Sequence, residues 1–259
     1  MARARSRSSQ HERHAQILAL LRREGTVRIA TLADAFAVTT ETARRDLDEL
    51  AERGALKRTY GGAASQSLTD EPDIGARGRA HAQERKKVAA AAAQLVEAGE
   101  ALMIDCGSTT ALFANALAAR NLHLTVVTNA LPVARALGTS AQCRVIVCPG
   151  RYVSREGGLY GPDTLEYLRK FKANRAIIGA GGVSGNAVTD ADSASCAVKR
   201  AMMERADRTQ LLVDSSKFEL VQFETVCALD RIDELVCDAA PTRKLAARLK
   251  SAGVTIVVA

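Results

Sequence analysis

The sequence has no tryptophan and few aromatics of any kind: four Tyr and five Phe in 259 residues. Its core must therefore be built from Ala, Val, Leu and Ile, and the length suits one large domain or two unequal ones. CxxC spacing is also missing. The six cysteines (Cys106, Cys143, Cys148, Cys196, Cys227 and Cys237) are scattered, most in or beside apolar runs such as Arg144–Cys148 and Leu235–Cys237. This pattern suits small buried hydrophobes in a reducing cytoplasm better than disulfides or zinc, so no metal or cofactor is expected. No apolar run approaches a membrane span, and no apolar stretch follows the basic N-terminus MARARSRSSQ as in a signal peptide. The expectation is a cytoplasmic protein with no membrane partner.

What the chain does have is positive charge, +7 overall, set towards one end. Residues 1–60 carry 12 Lys+Arg against 8 Asp+Glu, and the other 199 carry 24 against 21. A basic end suits a polyanionic partner, but so small an excess is common on solvated surfaces and decides nothing alone.

Order along the first sixty residues is more informative. Residues 1–10 read as a flexible basic arm. HAQILALLRREG then gives a helix with Ile17, Leu18 and Leu21 on one face and Gly25 as its stop. TVRIATLADAFAV gives a short extended piece and a second helix with Ile29, Leu32, Ala33 and Phe36 apolar. After a turn at Val38, Thr39 or Thr40 caps a third helix that runs to Gly54, with Glu41 in its first turn. Ala43, Leu47 and Leu50 form its apolar stripe, which leaves Thr40, Glu41, Arg44 and Arg45 on the opposite side. Leu56–Tyr60 reads as a strand closing on Gly61-Gly62, as in a hairpin.

Three helices and a basic hairpin make a winged helix-turn-helix, expected over residues 11–64. Its partner would be double-stranded operator DNA. Hydroxyls at a helix start can meet phosphates, and arginines one turn further in can reach base edges in the major groove. The candidate DNA contacts are Thr39, Thr40, Glu41, Thr42, Arg44 and Arg45, with Arg58 and Tyr60 on the wing. The plain alternative is an amphipathic helix whose arginines pair with Asp46, Asp48 and Glu49.

The stretch VRIATLADAFAVTTETARRDLDELAERGALKRTYGGA closely resembles the DNA-binding region of DeoR-family bacterial repressors. Thr42, Arg44, Arg45, Asp46 and Leu47 match the family's T-x-R-R-D-L helix, and Gly61-Gly62-Ala63 its terminal G-G-A. Thr39 stands where the family usually has Ser, and Ala43 where it usually has Ile.

Residues 65–80 are polar, carry Pro72, Gly75 and Gly78, and read as a linker. In 81–259, seven apolar runs alternate with helical stretches: ALMIDCG, LTVVTNA, CRVIVCPG, RAIIGAGG, TQLLVDSS, ELVCDA and VTIVVA. Continuous apolar strands separated by helices predict an α/β domain, an open and mostly parallel sheet covered on both faces. Polar or glycine residues recur where those strands end, as expected of a ligand crevice in such a sheet. Asp105, Gly107, Ser108, Thr109 and Thr110 open a helix after one strand and read as a phosphate cradle, with a simple helix cap as the alternative. Thr128-Asn129, Gly150-Arg151, Gly181 and Lys217 lie at later strand ends; Lys217 could be a countercharge or an exposed loop lysine.

Residues 85–239 resemble the effector domain of the same family at Asp105–Thr110, Thr128-Asn129, Gly179–Gly182 and Asp214–Phe218. That domain is similar to sugar-phosphate isomerases. The resemblance implies a repressor of carbohydrate-metabolism genes, released from DNA by a phosphorylated sugar or related metabolite; a homo-oligomer, dimer or larger, is expected because one small module gives limited specificity. Ser195, four residues before Lys199, stands where the family often has Glu.

An isomerase carrying a DNA-binding domain is the rival reading. Such an enzyme needs a carboxylate base beside the glycine loop, and Gly181–Gly185 contains no acid; Asp190 and Asp192 come later and could reach the site. Gly179–Ser184 as a dinucleotide loop is weak, since it lacks the last glycine of G-x-G-x-x-G.

Overall fold

The computed structural model describes residues 10–24, 26–52, 55–65, 73–79 and 81–259. The arm at 1–9, the stops at Gly25 and Gly54 and the linker positions 66–72 and 80 lie outside the described residues. The chain divides into two compact units, Met1–Asp70 and Glu71–Ala259.

The first unit runs α1 (Gln10–Glu24), β1 (Thr26–Arg28), α2 (Ile29–Phe36), α3 (Thr40–Glu52), β2 (Leu56–Thr59) and β3 (Gly62–Ser65). Ile17 and Leu21 of α1, Ile29, Leu32 and Ala33 of α2, and Ala43, Leu47 and Leu50 of α3 bury one shared core. The extended piece at residues 26–28 joins the hairpin, giving a sheet ordered β1-β3-β2. Gly62 is where two strands meet most closely: a Cβ there would stand 2.0 Å from the Val27 carbonyl oxygen. Gly61, in the hairpin turn, has φ +75°, so the two glycines serve different needs. Gln10 begins α1 rather than ending an arm. The helix starts four residues before His14, where the expected one begins, and Gln10, Arg13 and His14 are held by Glu49 and Asp46 rather than by apolar packing.

The second unit opens with α4 (Ile74–Arg79) and α5 (Ala82–Gln94). Then follow β4 (Ala101–Ile104), α6 (Ser108–Ala118), β5 (Leu124–Thr128), α7 (Leu131–Leu137), β6 (Cys143–Val147), β7 (Arg151–Val153), β8 (Gly158–Tyr160) and α8 (Pro162–Leu168). The chain continues through β9 (Ala173–Ile178), β10 (Gly182–Ser184), β11 (Ala187–Asp190), α9 (Ser193–Glu204), β12 (Ala206–Leu212), β13 (Glu224–Ala228), β14 (Glu234–Cys237), α10 (Arg243–Ser251) and β15 (Thr255–Val258).

All seven apolar runs become strands of one parallel sheet, ordered β15-β14-β12-β9-β4-β5-β6. Consecutive residues are buried in β4, β9, β12 and β14, so helices cover both faces there, as a parallel sheet requires. From β4 the chain moves outwards through β5 and β6, then returns to place β9 on the other side of β4. The strand order thus reverses between β4 and β9, and the loops after these two strands diverge to leave a crevice. A three-stranded sheet, β10-β11-β13, and a hairpin, β7-β8, are added to this frame. The linker stretch contains α4, which belongs to the second unit. Among the described residues no helix is long and apolar enough to cross a membrane.

Candidate functional site

In the first unit, Thr39 is the cap of α3: its Oγ1 accepts the Thr42 N–H at 3.1 Å, and the two threonine hydroxyls lie 2.9 Å apart. Thr40, Glu41, Arg44 and Arg45 are exposed on one side, with Ala43, Leu47 and Leu50 buried on the other. Glu41 accepts from Arg44 at 2.8 Å and stands 3.8 Å from Arg45. Exposed pairs of this kind contribute at most about 1 kcal/mol, so a phosphate or a guanine edge can displace Glu41 easily. Asp46, between the arginines and Leu47, faces inward. It binds Arg13 through two bonds of 2.8 and 3.0 Å and lies 3.2 Å from His14.

On the wing, Tyr60 is fully exposed at the turn. Arg58 departs from expectation. Its Nε donates to Asp48 Oδ1 at 2.8 Å and its Nη1 to the Gly62 carbonyl, so it braces the hairpin against α3 instead of projecting outwards. The exposed cation of this strand is Lys57, which the sequence pattern did not single out.

In the second unit a pocket opens at the crevice between β4 and β9. Gly107, Ser108 and Thr109 line it at the start of α6, Gly179 and Ala180 at the end of β9, and Asp214 and Lys217 beyond β12. Four cations line it, Arg77, Arg85, Lys199 and Lys217, together with four acids, Glu156, Asp190, Asp192 and Asp214. Lys199 is the centre of a buried cluster: its Nζ lies 2.7 Å from Asp105, 3.2 Å from Asp190 and 2.8 Å from Ser195 Oγ. Burial alone would lower its pKa. The facing carboxylates of Asp105 and Asp190 outweigh burial and hold the ammonium protonated, well above the ordinary lysine range. Asp105 is pushed up by its burial, against the pull of Lys199 and the Gly179 N–H.

Arg85 donates to Asp214 at 2.7 Å and to Ser108 Oγ at 3.0 Å, linking α5 to the pocket floor. Burial pushes the Asp214 carboxyl up, but Arg85 and the Ser216 hydroxyl more than offset this and hold it below the ordinary range. A carboxyl lowered by folding adds stability above its unfolded pKa of about 4, and that stability is lost as pH falls through the folded value. Asp214→Asn is therefore expected to lose about 3 kcal/mol in urea unfolding at pH 7, because it leaves Arg85 buried without its counterion, and less at pH 3. Equal losses at both pH values would show that the carboxylate charge is not what matters.

Of the residues expected at the pocket, Gly107, Ser108, Thr109, Asp190 and Lys217 line it, and Asp105 lies behind it through Lys199. Six others do not line it. Thr110 is fully buried and donates to the Asp105 and Gly107 carbonyls, and Thr128 is spent on the Ile104 carbonyl. Asn129 donates to the Leu159 carbonyl and ties β8 to the end of β5. Gly150 has φ +143° and packs against Thr164 and Tyr160, and Arg151 is exposed on β7. Gly181 lies between Asp190 and Gln222. The loop at Gly179–Gly182 runs into strand β10, not into the helix start that a pyrophosphate needs.

Arg77, Arg85, Glu156 and Lys199 also line the pocket and were not among the expected ligand residues, while Asp214 belongs to the strand-end stretch that includes Lys217. For Arg85 a signal existed: it lies three and four residues before Val88 and Ala89 and shares their buried face. Arg77 and Glu156 come from a six-residue helix and a hairpin turn, neither of which carries an apolar period.

A family model described as the DeoR-like helix-turn-helix domain matches residues 13–69, and one described as the DeoR C terminal sensor domain matches residues 80–239. The glycerol-3-phosphate regulon repressor of Escherichia coli is 33% identical over 233 residues, 90% of this chain and 92% of that protein. The HTH-type transcriptional repressor GlcR of Bacillus subtilis is 29% identical over 250 residues, 96% of each. Among solved structures, ribose 5-phosphate isomerase A of Methanocaldococcus jannaschii aligns with 53% of this chain and 55% of its own at 19% identity and TM-score 0.40.

Proposed function

This chain belongs to the DeoR family of helix-turn-helix transcriptional regulators, and from that premise we propose that it is a cytoplasmic repressor of carbohydrate-metabolism genes, released from its operator by a phosphorylated sugar or related metabolite. The observation that carries the effector half is the lining of the pocket. Arg77, Arg85, Lys217 and the start of α6 at Ser108-Thr109 offer donors to a phosphate, while Asp192 offers an acceptor to hydroxyls. A ligand that is anionic at one end and polyhydroxylated at the other matches both sets. Glycerol 3-phosphate, which the Escherichia coli relative's name contains, has that character.

The reading is non-enzymatic. Asp190, the acid nearest the glycine loop, is occupied on both oxygens: Oδ1 accepts the Ala191 N–H at 2.8 Å and Oδ2 faces Lys199. Proton abstraction next to a carbonyl needs a carboxylate available to the substrate. Turnover of ribose 5-phosphate that disappears in Asp190→Ala would overturn this part.

The DNA half uses α3, with Thr39, Thr40, Thr42, Arg44 and Arg45 towards the duplex and Tyr60 and Lys57 on the wing. One such module gives limited specificity, so the working form is a dimer or tetramer that sets two modules on repeated half-sites. The effector acts by binding the DNA-free arrangement more tightly.

The test of the effector is a thermal-shift panel on the full-length chain: glycerol 3-phosphate, glucose 6-phosphate, fructose 6-phosphate, fructose 1,6-bisphosphate and ribose 5-phosphate, each beside its unphosphorylated parent. A ligand of the folded state raises the apparent stability by mass action. At least one ester is expected to raise Tm while its parent does not; parents and esters acting alike would refute the phosphate subsite.

A further inference from the structure

Three cations around the pocket are paired with carboxylates: Lys199 with Asp105 and Asp190, Arg85 with Asp214, and Arg77 with Glu156. At these three an entering phosphate must exchange with a resident carboxylate. They are not equally exchangeable. The side chains of Lys199 and Arg85 are each 3% exposed, and opening their pairs would leave a carboxylate stranded in the interior. The Arg77–Glu156 pair is the most open of the three, at 12% and 10%.

Arg77 also stands on the shortest of the three helices. Lys199 stands on α9 and Arg85 on α5, helices of 12 and 13 residues, whereas α4 has six, two of them glycine. Among the ties that hold α4 are the Arg77–Glu156 pair, the Ile74 N–H to the Arg155 carbonyl at 2.9 Å, and the Arg85 guanidinium donating to the Arg77 carbonyl. These ties lead back to the pocket. Arg155 and Glu156 form the turn between β7 and β8, Cys106 Sγ donates to the Glu156 carbonyl at 2.9 Å, and Arg85 binds Ser108. In the chain, α4 is the first described element after the DNA-binding unit.

We propose that Arg77 is an effector ligand that leaves Glu156 for the incoming phosphate, and that this exchange repositions α4, so that occupancy of the pocket is passed along the chain towards the DNA-binding unit. The proposal rests on the reading of the pocket as a phosphate-ester site. A rigid binding pocket would need no such exchange; here a six-residue helix carries one of its cations, which makes it the element a ligand can bias.

The experiment uses the full-length chain, with inorganic phosphate and the five esters of the panel as probes at matched ionic strength. Affinity is read by calorimetry, and amide hydrogen exchange is followed across residues 73–79. In the wild type, the binding probe is expected to speed exchange in that segment. Arg77→Ala should weaken binding about tenfold, the equivalent of one charge-assisted hydrogen bond. Glu156→Gln should tighten it, since the competing carboxylate is gone, and a poorly folded variant could not give that result. If no probe binds the wild type, the phosphate reading itself fails and the proposal with it. If a probe binds but Arg77→Ala and Glu156→Gln match the wild type and exchange at 73–79 is unchanged, the pocket reading stands and the role of Arg77 is refuted.

Discussion

Replacing Arg44 or Arg45 by alanine is expected to weaken binding to a duplex selected from a random library by roughly 5- to 150-fold each, the equivalent of about 1–3 kcal/mol per lost base contact. The double variant should bind only as a nonspecific polycation does, with the selected sequence no longer preferred. Neither arginine supports the fold: both side chains are more than half exposed, and their partner is the equally exposed Glu41. Thermal stability and the ligand-induced Tm shift should therefore match the wild type. Competition between the selected duplex and unrelated DNA, followed by fluorescence anisotropy, measures this. Undiminished preference in the double variant would move recognition to the wing, around Lys57 and Tyr60. Loss of the ligand response as well would mean that the two units do not divide the work.

Lys199→Met should have the largest effect on the second unit, about 3–5 kcal/mol of stability at pH 7 by urea unfolding. The substitution keeps an unbranched side chain but strands Asp105 and Asp190 in the interior without a counterion. The deficit has a pH signature. Asp105 is already pushed up by burial, and without Lys199 its folded value rises further. A carboxyl raised by folding contributes stability that is fully present below its unfolded pKa of about 4 and lost as pH rises through the folded value. The variant should therefore approach the wild type as the pH is lowered towards 4, whereas damage from packing alone would not recover. Lys199→Arg, which keeps the charge, should lose less. A variant as stable as the wild type at pH 7 would show that the cluster does not hold the crevice together.

The parts that were legible in the sequence share a physical origin. Strands buried on both faces must be continuously apolar, so all seven runs of the parallel sheet stood out, and α3 declared itself through Ala43, Leu47 and Leu50 at helical spacing. The short strands β7, β8, β10, β11 and β13 did not, because they are interrupted by glycine and polar residues and pair through backbone geometry. The same division runs through the site. Ser108, Thr109 and Lys217 were visible as polar residues at strand ends. Thr110, Thr128 and Asn129 looked the same in sequence, yet fold inward to satisfy backbone carbonyls. Arg85 was hidden in the run ERKK, where Lys86 and Lys87 face solvent and only its register with Val88 and Ala89 sets it apart. Arg58 carried the right charge in the right hairpin, but Asp48 lies within reach only once α3 and β2 are packed together.

The account as a whole turns on a coupling between a phosphate ester in the second unit and DNA on the first. It is tested most directly by titrating the full-length chain, bound to its selected duplex, with each phosphate ester and its unphosphorylated parent while following anisotropy. At least one ester is predicted to release the duplex, with its parent inert and with the Arg77→Ala variant requiring more ester for the same release. A duplex that stays bound at ester concentrations that saturate the pocket would contradict the coupling.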